Sequence, residues 1–233
     1  MTNIFDICVN TPSDRKDELS FLSWFDHADS VDESLSTGFT DFAYKIMSSD
    51  MCTRIGNPSQ LTCCEIGFGG GRLLLPASMA FKNVIGIDIH KEFNRVETRL
   101  KSYNRSNFRL INFSDSDSLI EDESLHFVYS FITFQHFSSW STAEYYIDLI
   151  CRKLKTNGHG IIYFGENTFT QEDIKIDDAN KDGFPMTLFV KRSFIETHLS
   201  KKGLKIIEIG STTKTPWSNQ KSSQFFVKFQ RVE

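Results

Sequence analysis

From about residue 60 onward, short apolar runs alternate with amphipathic stretches, the pattern of an α/β chain. Leu61 to Ile66, Val84 to Asp88, Phe108 to Asn112, His126 to Phe131 and Ile161 to Phe164 read as five strands. His90 to Asn104 reads as a helix that puts Phe93, Val96, Leu100 and Tyr103 on one face. Ser141-Thr142-Ala143-Glu144 has the form of a capping box. The helix it opens aligns Ala143, Tyr146, Ile147, Ile150 and Leu154, and Asn157-Gly158 is expected to end it. Ser193 to Glu196 has the same form, with Gly203 as the stop, because glycine takes the left-handed conformation of a helix end without a Cβ clash. Leu204 to Ile209 and Gln224 to Gln230 read as an antiparallel hairpin joined through Pro216-Trp217. Pro76 has no N–H to give a helix, so the helix after the first strand is expected to start late or kink.

Two segments fall outside this alternation. Residues 1–60 carry Leu19, Leu22, Trp24 and Phe25, then Phe39, Phe42, Ala43, Ile46 and Met47, which suggests two or more helices. Residues 166–191 are polar and long for a strand-to-helix connection. The expected organisation is a helical cap segment over 1–60 and one α/β domain over 61–233, with an insertion at about 166–191.

The chemistry concentrates where the first strand ends, at Cys63-Cys64-Glu65-Ile66-Gly67-Phe68-Gly69-Gly70-Gly71-Arg72. Glycines let the backbone approach a ligand and take positive φ, and such a turn opens a helix whose N–H groups favour anions. The dinucleotide spacing G-x-G-x-x-G fails in both registers, because its third glycine falls on Arg72 or Leu74. An acid at 65 would also repel a pyrophosphate. That disfavours an NAD(P)-dependent oxidoreductase.

The arrangement E-x-G-x-G-x-G resembles motif I of the class I S-adenosylmethionine (SAM)-dependent methyltransferases. The resemblance implies SAM as cofactor, with Glu65 facing its methionine end and Gly67, Gly69, Gly71 and Arg72 lining the turn. Asp88, at the end of the second strand, can accept both ribose hydroxyls. Ile89 and His90 would lie beside the adenine. Ser114-Asp115-Ser116-Asp117-Ser118-Leu119 resembles the segment whose acid bonds the adenine amino group. Asp115 is the expected acid with Ser116 beside it, and Asp117 is the alternative. Asp122 to Ser130 resembles the family's D-E-S-F-D-x-V entry to strand four, with His126 replacing the acid. Phe131 to Phe137 matches the loop near the transferred methyl, which implies Phe131 as a cofactor-binding residue; many small-molecule methyltransferases carry a histidine in this loop, here His136. The implied fold is a Rossmann-like, doubly wound, mostly parallel seven-stranded sheet with an antiparallel last strand and helices on both faces. Additions at 1–60 and 166–191 would cover the cofactor and shape the acceptor pocket.

Charge narrows the acceptor. Lys plus Arg total 26 and Asp plus Glu 30, a net of −4, and basic residues are dispersed. Nucleic-acid binders show a basic excess or stripe, and the Pro-Pro motif of base amine methylation is absent, so nucleic acid is not the expected substrate. A small molecule with a hydroxyl, of sugar or natural-product type, is expected, with His136 as the general base because imidazole titrates near neutrality. A SAM-binding partner subunit without catalysis, and a methyltransferase acting on protein or RNA, are the alternatives. Glu166-Asn167 superficially resembles the metal pair of catechol-type enzymes, but two oxygen ligands make a thin site, and no metal is expected. The five scattered cysteines, the lack of a membrane-length apolar run and the lack of a secretory leader point to a cytoplasmic protein, monomeric or homodimeric.

Overall fold

The computed structural model describes residues 9, 15–177, 187–211 and 224–232. Helices α1 (Glu18–Asp26), α2 (Val31–Asp41) and α3 (Ser49–Ile55) precede the first strand, and α2 runs on into a π-helical turn, Phe42–Ile46. Then come β1 (Thr62–Ile66), α4 (Leu74–Ala80), β2 (Asn83–Asp88), α5 (Phe93–Ser102) and β3 (Phe108–Asn112). The short α6 (Ser116–Leu119) leads to β4 (Leu125–Ser130), α7 (Trp140–Lys153) and β5 (Leu154–Glu166). Short strands β6 (Ile174–Ile176) and β7 (Leu188–Val190), helix α8 (Arg192–Lys201), β8 (Leu204–Ser211) and β9 (Gln224–Arg231) complete the described chain.

Strands β3-β2-β1-β4-β5 are parallel neighbours in that order. β9 pairs antiparallel with β5 on one side and with β8 on the other. These seven strands form the expected doubly wound sheet, with the last strand inserted antiparallel. The described sheet has nine strands rather than seven. Gly160 pairs with β4 and β9, while Gly165 pairs with β7 and β9. β7 therefore shares an edge of β5 with β4, beyond its end, and β6 pairs antiparallel to β7. Ile174 to Ile176 and Leu188 to Val190 were too short to stand out from a polar segment; they are strands because β5 outruns β4 and offers its free edge.

Alternation along the strands divides the core. Cys64, Ile85, Val128 and Ile162 face Ala143, Ile147 and Ile150 of α7 and Ile195 and Leu199 of α8. Cys63, Val84, Phe127 and Ile161 face the other way, into a core shared by α4, α5 and the N-terminal helices through Phe21, Leu22, Ile46 and Met51. The 1–60 segment thus buries its apolar face against the sheet.

Local signals held unevenly. Helix α7 starts at Trp140, capped by Ser139 accepting from the Thr142 N–H, not at the Ser141 box. It passes into β5 at Leu154, so Asn157-Gly158 lies within the strand span rather than ending the helix. Helix α8 has Lys191 at its N-cap and no side-chain cap, so Ser193 to Glu196 is not a capping box. The Pro216-Trp217 connection lies outside the described residues. Helix α4 does start late, with Pro76 in its first turn. Pro76 cannot bond the Arg72 carbonyl, and that oxygen packs on Gly38 of α2, where a Cβ would collide with it. Gly38→Ala should therefore lower the unfolding free energy by about 1–2 kcal/mol, the overpacking strain exceeding alanine's better helix propensity. Denaturant unfolding measures this, and a stabilised variant would contradict it.

Candidate active site

The carboxyl ends of β1, β2 and β4 meet where the connections diverge to opposite faces of the sheet, the place where open α/β sheets leave a crevice. A cavity of about 470 Å³ opens there. Glu65, Gly67, Arg72, Asp88, Ile89, Phe131 and His136, all singled out from sequence, line it.

Glu65, the penultimate residue of β1, has 2% of its surface exposed. Its carboxyl accepts the Tyr129 hydroxyl at 3.0 Å. Burial pushes the carboxyl up to about 8; the Tyr129 hydrogen bond and the Arg72 charge oppose this without cancelling it. Arg72 bonds Asp41 Oδ2 at 2.6 Å, and Lys45 reaches Asp41 Oδ1 at 2.7 Å. Both cations lie over the Phe131 ring, at 5.3 Å and 4.8 Å from its centroid. The cavity thus has an acid and a cation cluster near one end.

The glycine turn is shaped by close approach. Gly67 has φ 77, and a Cβ there would overlap the Thr133 side chain, so the turn and the loop after β4 touch directly. Gly69 and Gly71 have φ 49 and 80 but do not line the cavity among the described residues. Instead they set the path of the turn. Gly69 donates its N–H to Asp88 Oδ2 at 2.7 Å, and the N–H groups of Ile89 and His90 reach Oδ1 at 2.7 and 3.3 Å. Asp88 is thereby held rigid.

His90 does not line the cavity beside Ile89; it is fully buried. Its Nδ1 accepts the Glu92 N–H at 3.0 Å, which leaves the proton on Nε2, donated to the Gly69 carbonyl at 3.0 Å. Phe68, Phe93, Phe21 and Phe25 surround the ring. His90 buttresses the turn from behind.

Asp115 is exposed and does not line the cavity. Ser116 is buried and donates to the Phe113 carbonyl. Asp117, the alternative, is ion-paired with Arg152 and Lys153. The cavity wall on this side is Phe113, Phe137 and Tyr146, with Phe113 stacked on Tyr146 at 4.4 Å and Phe137 on Tyr146 at 5.0 Å. Tyr146 was legible only as a core position of α7.

After β4 the chain turns sharply. Ile132 lines the cavity with φ 53, a strained conformation for a β-branched residue. The turn Phe134–His136 follows, and Gln135 Nε2 lies 3.2 Å from His136 Nε2. His126 sits elsewhere, its Nδ1 accepting the Thr62 N–H. Glu166 is held by a two-pronged pair with Arg192 at 2.6 and 2.8 Å, and Asn167 is spent on local bonds to Thr170 and Glu172.

The cover expected of residues 1–60 comes from α1 and its C-cap, whose lining residues were not singled out as site residues from sequence. Trp24, Phe25 and His27 line the cavity, and Val9 joins them. Phe25 and Asp26 press onto the glycine turn; a Cβ on Gly70 would lie 2.6 Å from Asp26 Oδ1. The aromatic pattern marked a helix, but no local signal says that its end covers a turn more than forty residues away.

The raised Glu65 carboxyl has a consequence for stability. The folded chain holds a proton that an ordinary glutamate in the unfolded chain, at 4.5, has released. Its contribution is therefore complete below 4.5 and is lost as pH rises through about 8. The melting temperature of the ligand-free protein should fall from about pH 5 to about pH 9, and Glu65→Gln should flatten that slope. An unchanged slope in Glu65→Gln would contradict the assignment.

Residues 64–162 match the sequence profile of a methyltransferase domain. No curated protein matches the chain by sequence. Among solved structures, the magnesium protoporphyrin IX methyltransferase of Synechocystis, with S-adenosylhomocysteine bound, is similar at TM-score 0.62 and 15% identity, over 88% of this chain and 89% of that one. A SAM-dependent methyltransferase of Clostridium acetobutylicum aligns at 0.60 and 16% identity, over 91% and 96%. One from Methanosarcina mazei aligns at 0.60 and 18% identity, over 75% and 93%. These likenesses carry the fold, and the domain match covers residues 64–162. That stretch thus matches a methyltransferase domain, on a fold that this chain shares with SAM-dependent methyltransferases.

Proposed function

We propose that this enzyme methylates a hydroxyl of a small-molecule acceptor, and that His136 takes the hydroxyl proton. The observation that carries this reading is the meeting of Glu65 and Asp88, from the ends of β1 and β2, with His136, from the turn after β4, in one cavity partly closed by aromatic side chains. In this reading Glu65 and Arg72 take the methionine end of the cofactor, a carboxyl facing an ammonium. Asp88 accepts the ribose hydroxyls with a carboxylate already fixed by three N–H groups, so little reorganisation is needed on binding. Gly67, Gly69 and Gly71 shape the turn beneath it. Ile89, Phe113 and Tyr146 provide the apolar walls for adenine. SAM supplies a methyl on a sulfonium, and the chain's task is to align the acceptor in line with it and exclude water. In this reading Phe131 packs against the cofactor, and His136, on the same loop, is suited to remove the acceptor's proton at neutral pH.

A small acceptor fits a net charge of −4 and dispersed basic residues. The cysteine usage places the protein in the cytoplasm in this reading. No helix among the described residues is long and apolar enough to cross a membrane.

Calorimetric titration with S-adenosylhomocysteine tests the site. Micromolar binding is expected, weakened about tenfold or more by Asp88→Ala, about 1.4 kcal/mol. Unchanged affinity in that variant would remove Asp88 from the site. With a hydroxyl acceptor in hand, His136→Ala should lower kcat about a hundredfold while leaving S-adenosylhomocysteine affinity near wild type. Turnover close to wild type in His136→Ala would end the base role.

A further inference from the structure

Arg15 lies outside the glycine turn, outside every strand, and before the first described helix. Yet it is 1% exposed. Its Nε meets Glu92 Oε2 at 2.6 Å, and its Nη2 donates to the Val9 carbonyl at 2.7 Å. The guanidinium lies 4.5 Å from the Trp24 ring centroid and 5.4 Å from that of Phe25. Val9, Trp24 and Phe25 all line the cavity. Glu92 N–H in turn bonds His90, which bonds the Gly69 carbonyl. Arg95, one turn on, reaches Glu92 at 3.3 Å and the carbonyls of Arg15 and Asp17 at 2.8 Å each.

A buried arginine held this way is expensive unless its charge is met and its donors are filled. Here one carboxylate and two aromatic faces meet the charge. Every one of these contacts joins the N-terminal segment to itself or to the start of α5. The bond network therefore ties the cavity's N-terminal wall to the residues that fix the glycine turn.

We propose that Arg15 is a positioning residue for cofactor capture. It latches Val9, Trp24 and Phe25 over the cofactor's adenosine end, so that cofactor exchange requires the Arg15–Glu92 pair to open. This rests on the cavity being the cofactor site. The latch acts through the wall it holds, not through contact with the cofactor.

The experiment is stopped-flow and calorimetric binding of S-adenosylhomocysteine to the full chain, read below the onset of melting of each variant. Arg15→Met should speed dissociation about tenfold or more, because removing one partner of a buried charge pair acts mainly on the off-rate. Arg15→Lys keeps the charge but loses the flat fork that stacks on Trp24, and should fall between. Glu92→Gln should reproduce much of the Arg15→Met effect, and the double variant Arg15→Met/Glu92→Gln should be little worse than Arg15→Met alone, since the two share one interaction. Limited proteolysis gives a second readout: bound S-adenosylhomocysteine should protect the segment from Lys16 to Phe25 in wild type and far less in Arg15→Met. If Arg15→Met does not fold, the Arg15→Lys and Glu92→Gln rates decide. Folded variants that release the ligand at the wild-type rate would overturn the latch and leave the cofactor site standing. No binding by the wild type itself would overturn both.

Discussion

One buried imidazole holds this site together. His90 accepts from Glu92 on one side of its ring and donates to Gly69 on the other. Its own N–H, with those of Gly69 and Ile89, converges on Asp88. The end of β2, the glycine turn after β1 and the start of α5 are thereby tied at one point. Phe21 and Phe25 pack against the same ring, so α1 is seated by it as well. A glycine-rich turn has the most conformational freedom to lose on folding. Tying it from behind leaves its front face to shape the cavity.

The site carries costs that the rest of the fold must offset. Glu65 is buried with one hydroxyl as its hydrogen-bond partner, and Asp26 is buried with its carboxyl pushed up by desolvation despite Arg99 and Ser34. Arg99 Nη2 is buried without a hydrogen-bond partner among the described residues. Ile132 holds a left-handed backbone. Such features cluster where ligands bind, since an arrangement fixed in advance lowers the cost of binding. The apolar cores on the two sheet faces, with Phe127, Phe134, Phe225 and Phe229 wholly buried, supply the compensating stability.

The N-terminal segment changes the character of the crevice. An open α/β sheet leaves its carboxyl ends exposed. Here α1 lays Trp24 and Phe25 along the opening and sets Asp26 on Gly70. Gly70 is required by that contact between segments distant in sequence, while Gly67 is required by its contact with Thr133. Adjacent glycines in one motif thus answer to different partners.

Residues 61–166 were largely legible, because alternating burial in strands and the 3.6-residue period in helices are written locally. The acid-glycine motif fixed where β1 ends, and Asp88 fixed the end of β2. Only the folded chain showed that His90 turns inward while Ile89 turns outward, a matter of backbone direction after a strand end. It also showed Phe113, not Asp115, at the cavity, because the chain turns just past β3 and carries Asp115 to the surface. Capping signals at Ser141 and Ser193 misled because several Ser and Thr residues near a helix start compete for the same N–H groups, and tertiary packing chooses the frame. Sequence alone determined the seven-stranded core of the sheet and the acids near its strand ends, since these depend on neighbours along the chain. The tertiary structure decided which side chains face the cavity, and that α1 walls it, because those contacts join segments that only the fold brings together.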